Sequence, residues 1–332
     1  GMAAAGPRSI TLDLVLSEPE PAGDPWLAAE IAAATRAGVP VLLPVSWQPG
    51  PGGLDLLLPT PALRGAVRLG AAEAAVDADG ELRHLFLQAG PPDAPYPHLA
   101  RAVLEAGGGR LHPSLRPAWN PAPEPGRWQR DGRLVMRFGG APGAVPRVSA
   151  LDVLQGRVAP AQLAGRDLLL GLTAQGLGDT LATPVNAGHR AMPGVEALAH
   201  GLALLRHGGS PRPVPAGAVA AGAALGLVLL LALLQRVGER RALALALGSV
   251  PLVALASAAS AHAGWLWSPL PFELPALLAY PLWSWLRLRR AMQVLAAEIR
   301  ELAAARQAGG AAAPAPEGLE PQIAELQRAG AQ

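Results

Sequence analysis

Three apolar runs near the carboxyl end decide where the rest of the chain lies. Ala216–Leu234 and residues 242–261 contain no charged residue, and residues 265–286 contain one, Glu273. At about 1.5 Å of rise per residue, a helix of this length covers about 28 Å, close to the roughly 30 Å hydrocarbon core of a bilayer. Three such runs joined by very short loops predict a three-span membrane region over about 216–234, 242–261 and 265–286.

The connections set the orientation. QRVGERR, with Arg236, Arg240 and Arg241, separates the first two runs, and RLRR, with Arg287, Arg289 and Arg290, follows the third. HAGW, between the second and third, has no basic residue apart from its histidine. The excess of arginine places the first and last of these connections in the cytoplasm. Residues 1–213 are then extracytoplasmic; Arg206 and Arg212 weaken this bias without reversing it. The third run carries Pro271, suited to a first helical turn, and Pro275 and Pro281, which predict kinks. Trp265, Trp267, Tyr280, Trp283 and Trp285 fall where interfacial aromatic rings belong, and Glu273 reads as a residue of the outer interface.

Composition narrows the classes. Arginine and no lysine supply the basic charge, the net charge is only +2, and the clearest arginine clusters flank the apolar runs. A nucleic-acid protein carries its basic stripe on a soluble domain, so no nucleic-acid partner is expected. The chain has no cysteine, which rules out disulfides, thiolate catalysis and cysteine-ligated metal. The amino-terminal segment GMAAAGPRSITLDLVL has no secretory signal pattern. An exported domain needs one, so the chain is expected to be a fragment lacking a first span.

Residues 1–213 read as one α/β domain with a mixed or parallel sheet and flanking helices. A strand at 10–16, a helix from Asp24–Pro25 to Gly38 and a buried strand at 39–45 predict a β-α-β unit. A Gly/Pro-rich loop follows to Gly53. Residues 71–76 and 81–87 predict a hairpin turning at Asp79–Gly80. Helices are expected over Leu99–Ala106, from a Ser149 cap to Leu154, and over 193–205, with strands at 134–138 and 168–172. Residues 107–127 are read as loop.

The Gly-rich loop after the strand at 168–172 lies at the edge where open α/β sheets take ligands, which singles out Thr173, Asp179 and Thr183. Its glycines fit neither GxGxxG nor a GK[ST] loop, so no nucleotide is implied. A plain turn, with Asp179 as its cap, is the competing reading. Asp13, inside a strand, has no evident turn or cap role; a structural hydrogen bond and a ligand contact both stay open. The remaining acids are dispersed with no histidine at ligand spacing, so neither a metal, a cofactor nor a catalytic group is expected.

LDLVLSEP at 12–19, VDADGELR at 76–83, VSALDVLQG at 148–156, LLLGLTAQGLGDTLATP at 168–184 and MPGVE at 192–196 occur in this order. Together they resemble the CHASE2 extracellular sensor domain family, associated with histidine kinases and cyclases. The likeness covers nearly all of residues 8–290, three following spans included. The family has a first span, a strand and a helix ahead of the LDLVLSEP-like segment, which agrees with the fragment expectation. It also tends to have a histidine two residues after the glutamate of the last motif, where this chain has Leu198, with His200 two positions on.

The resemblance implies the sensory and transmembrane portion of a bacterial inner-membrane receptor. A periplasmic small-molecule or protein signal would be relayed to an output module such as a histidine kinase. All seven histidines precede Arg287, and no Gly-rich ATP segment follows it, so the chain itself is not expected to be an enzyme. A membrane-tethered enzyme using the loop near Asp179 and a scaffold without a sensory role are the rival readings. After Arg290, Met292, Leu295, Ile299 and Leu302 keep the rhythm of a coiled-coil seam and predict a homodimeric cytoplasmic helix over 291–307. A linker and the start of an output module are expected over 308–332, with Leu319, Ile323 and Leu326 opening a second helix.

Overall fold

The computed structural model describes residues 2–50, 53–119, 128–173, 179–186 and 191–309. Residues 174–178 of the Gly-rich loop, part of the expected 107–127 loop, and the helix expected through Leu319, Ile323 and Leu326 lie outside them. The chain divides into two compact units, Gly1–Pro213 with Ser260–Leu266, and Val214–Ala259 with Trp267–Gln332.

The first unit is a mixed α/β domain. Its main sheet places β1 (Ser9–Leu12) between β2 (Val41–Gly50) and β8 (Asp167–Leu170), all parallel, with β4 (Arg68–Ala71) parallel on the far side of β2. The β1–α1–β2 unit is built around α1 (Asp24–Arg36), whose Ile31 and Ala34 are buried against Ile10, Val41 and Leu43. Leu42, between those last two, belongs instead to a core with Leu99, Val103, Leu202 and Leu205. Strand β2 is thus buried on both faces, which is why it reads as an unbroken apolar run. Each fully buried leucine here contributes about 1.5–3 kcal/mol by leaving water.

Beyond Val45, β2 continues into an antiparallel hairpin with β3 (Gly53–Leu57), where the sequence predicts a loop. Its strand pattern is broken by Pro49 and two glycines, tolerable at an edge hairpin but invisible to a periodicity argument. After α2 (Pro61–Arg64), β4 enters the sheet. The predicted hairpin of residues 71–87 does not form. Its turn does: Gly80 has φ +82, and the Asp77 N–H donates to the Glu81 carbonyl at 2.8 Å. But of its first arm only Ala71 is strand, the last residue of β4 beside β2, and β5 (His84–Gly90) joins a separate antiparallel sheet between β6 (Tyr96–Pro97) and β7 (Gln129–Val135).

Helix α3 (Leu99–Ala106) has the predicted bounds. So does α4 (Ala150–Leu154), where Ser149 accepts a hydrogen bond from the Leu151 N–H. Asp24, predicted as a cap, instead occupies the first turn of α1 behind Gly23. The remaining elements are α5 (Pro160–Leu163), the short pair β9 (Thr180–Leu181) and β10 (Met192–Pro193), α6 (Gly194–His207) and β11 (Arg212–Pro213). Residues Ser260–Leu266 complete this unit: β12 (Trp265–Leu266) pairs parallel with β11, and the Arg212 N–H donates to the Gly264 carbonyl at 2.7 Å.

The second unit is helical, with α7 (Ala216–Leu234), α8 (Glu239–His262) and α9 (Leu270–Gly309). Among the described residues two helical stretches are long and apolar enough to cross a membrane, Ala216–Leu234 and Arg240–His262. Their apolar side chains cover more than one face; Leu229 is 61% and Leu255 68% exposed. Such an unpartnered apolar belt fits a lipid neighbour better than water. Helix α7 packs on α9 through Leu230, Leu234, Phe272 and Ala276, and Gly226 lets the Phe272 ring approach. The third apolar run starts its helix at Leu270, because Trp265 and Leu266 are held as β12. The helix then continues through Pro275, Pro281 and the arginine cluster to Gly309. Forty residues make about 60 Å, twice a hydrocarbon core. Met292, Leu295, Ile299 and Leu302 are 62%, 52%, 57% and 70% exposed along its second half.

Candidate functional site

The order β8–β1–β2–β4 fixes where a ligand site belongs. After β1 the chain crosses to β2 and β4 on one side, whereas β8 arrives on the other. In open α/β sheets the crevice outside the carboxyl ends of strands at such a reversal favours ligands. Asp13 stands directly at that edge, its N–H donating to the Leu170 carbonyl of β8 at 2.7 Å.

Asp179 arrives there by a different route. Its carbonyl accepts from the Gly194 N–H at 2.9 Å, and β9 then pairs with β10 in the register Leu181–Met192 and Thr180–Pro193. This pairing folds the end of the Gly-rich loop back onto the start of α6. The buried Met192 wedges against Leu82 and Ala197 beneath it. Asp13 and Asp179 consequently line one cavity of about 120 Å³, together with Glu73, His84, His98 and Leu198. Burial, reinforced by the neighbouring Asp179 carboxylate, pushes the Asp13 carboxyl up from 3.8 to about 6.

The other titratable groups of the cavity are already partnered. Glu73 accepts from Trp128 Nε1 at 2.7 Å and from Arg130 Nε at 2.6 Å. His84 Nδ1 lies 2.9 Å from an Asp77 oxygen, and the Arg83 guanidinium holds Asp77 below the usual carboxylate range. His98 caps α3: its Nδ1 accepts from the Ala100 N–H at 3.1 Å while Nε2 lies 3.2 Å from the Glu73 carbonyl oxygen. That pattern needs a neutral ring protonated at Nε2, and burial lowers the His98 pKa to about 4. Among the described residues no side chain hydrogen bonds to the carboxyl of Asp13 or Asp179. Among the described residues the cavity therefore presents two carboxyls with no fixed cation, in a wall of Leu82, Leu85, Leu99 and Met136. Burial and the charge beside it let Asp13 take up a proton, or a cationic group, more readily than an exposed aspartate.

The other residues singled out from the sequence lie apart from this pair. Thr173 is exposed, and the buried Thr183 donates its hydroxyl to Asn186 Oδ1 at 2.7 Å, holding a local turn. Glu73, His84 and His98 carry no motif in the sequence. Only the Pro97-His98 start of a helix pattern hints at the cap. Leu198 lines the cavity, whereas His200 is buried, accepting from the Gly139 N–H at 3.2 Å with its ring edge-on to Phe138. Glu196 accepts from the Gly143 N–H at 2.7 Å, a structural role. Among the described residues no three histidine or acidic groups gather as a metal site.

A family model described as the CHASE2 domain matches residues 1–234. No curated protein and no solved structure matches the chain.

Proposed function

The chain belongs to the CHASE2 domain family of extracellular sensor domains, and from that premise we propose that it is the sensory and transmembrane portion of a bacterial inner-membrane receptor. Residues 1–213 face the periplasm and bind a small-molecule or protein signal. Helices α7 and α8 and the first half of α9 are three spans in the lipid bilayer. The second half of α9 is cytoplasmic and pairs with a second copy through Met292, Leu295, Ile299 and Leu302. It delivers the signal to an output module such as a histidine kinase.

The observation that carries this reading is the cavity with Asp13 and Asp179, set at the ligand edge of the sheet in a sensor-family domain. The relay has its own support. Strand β12 is held in the sensor unit by β11 and by the Arg212 guanidinium, 5.8 Å from the Trp265 ring centre. Only Trp267–Pro269 separate that clamp from α9, a single helix to Gly309. A shift of β11 thus has a short covalent path to the cytoplasmic seam, a coupling by movement of a rigid element.

Disulfide crosslinking at Ile299→Cys in membranes tests it. Asp13→Asn with Asp179→Asn imitates a cavity neutralised by its ligand and should change the crosslinking yield while leaving the fold intact. An unchanged yield would remove the relay. Release of a product by the purified wild-type protein would favour an enzyme instead.

A further inference from the structure

At the end of the second unit where α8 begins, Gly238, Arg240, Arg241 and Arg287 line a cavity of about 450 Å³. Three arginines line it, and no carboxylate does so among the described side chains. Among the described residues none of the three makes an ion pair. Arg287 is also oriented, its guanidinium carbon 5.4 Å from the centre of the Trp283 ring. Like charges lining one cavity repel one another, so three arginines there favour an anion.

Its position selects which anion. The cavity lies at the ends of the apolar lengths Ala216–Leu234 and Arg240–His262, the level at which a hydrocarbon core gives way to phosphates. Planar guanidinium forks match phosphate oxygens in pairs, and basic pockets between spans on the cytoplasmic side suit anionic head groups. We propose that Arg240, Arg241 and Arg287 form a binding site for the phosphate of an anionic phospholipid head group. Trp283 holds Arg287 in place for it. A bound lipid would tie the start of α8 to α9 just before the helix leaves the bilayer. The site needs α7 and α8 to lie in a membrane but owes nothing to the sensory reading, and its test uses neither a signal nor an output.

The full chain in neutral detergent is titrated with phosphatidylglycerol or phosphatidylcholine, and bound lipid is counted by native mass spectrometry. Wild type should prefer phosphatidylglycerol. Each of Arg240→Gln, Arg241→Gln and Arg287→Gln should weaken that preference roughly fivefold, from the attraction an arginine has for an anionic membrane surface. Arg289→Gln, outside the cavity, should leave it unchanged. Inorganic phosphate in excess should not displace the lipid. Equal binding of the two lipids, or a preference that survives loss of all three arginines, would overturn the proposal. Displacement by inorganic phosphate would overturn the lipid assignment in favour of a soluble phosphate compound. Circular dichroism of each variant checks that a lost preference is not lost helix.

Discussion

Asp13→Asn should stabilise the protein, and only at the right pH. The folded carboxyl titrates near 6 against 3.8 for an unperturbed aspartate. At about 1.36 kcal/mol per pH unit, the gap corresponds to about 3 kcal/mol. The sign follows from proton binding. Between about pH 4 and 6 the folded state holds a proton that the unfolded state has lost, so stability falls as pH rises through this window. Above it, the wild type bears the full cost of a buried, repelled carboxylate. Asparagine does not titrate, so the variant's advantage should be smallest at pH 4 and approach about 3 kcal/mol at pH 8. His98 acts in the opposite sense. Its unfolded imidazole takes a proton below 6.5 while the folded ring resists to about 4, so stability is lost as pH falls through that range. Both proteins carry His98, and the difference between them cancels it. Urea unfolding in detergent micelles, followed by near-ultraviolet circular dichroism from pH 4 to pH 8, measures that difference. A difference that stays flat with pH, or a variant less stable at pH 8, would refute the argument from burial and the Asp179 charge.

Two further outcomes follow from packing. A Cβ at Gly70 would sit 2.7 Å from the Leu99 backbone, so Gly70→Ala should lower the urea stability by about 1–3 kcal/mol, whereas Gly217→Ala, which meets nothing, should change it little. Along α9, disulfide crosslinking in membranes should be efficient at Leu295→Cys and Ile299→Cys and clearly weaker at Ala296→Cys and Ala297→Cys; equal yields at all four would remove the dimer seam.

What the sequence made legible was local. Asp24–Pro25, Ser149 and the Asp79–Gly80 turn mark their elements through short-range chemistry, and the apolar run before Val45 announces a strand buried on both faces. Pairing was not legible. Nothing in residues 71–87 reveals that β5 will pair with β6 and β7 and not with residues 71–76, because partner choice depends on segments distant in the chain. The same holds at the site. Asp13 and Asp179 are separated by most of the domain, and only the β1–β8 register and the β9–β10 fold-back bring them into one cavity. Thr173 and Thr183 share the Asp179 loop in sequence, yet backbone direction turns one toward solvent and the other into a turn. Trp265 reads as a membrane-interface ring from its type, and the pairing of its backbone with Arg212 has no signal in the sequence.

The most direct test of the receptor account is the side on which each end of the chain lies. These 332 residues contain no cysteine, so a single cysteine introduced among them has no background from this part of the protein. Leu154, 83% exposed in the α/β unit, and Ala305, near the end of α9, are replaced by cysteine in the full-length protein. Intact cells are then treated with a membrane-impermeant maleimide. Three spans put the two positions on opposite sides: Leu154→Cys should be labelled in intact cells, and Ala305→Cys only after the membrane is opened. If both positions are labelled from the same side, the chain crosses the bilayer an even number of times between them, and α9 is not the third span that carries the signal inward.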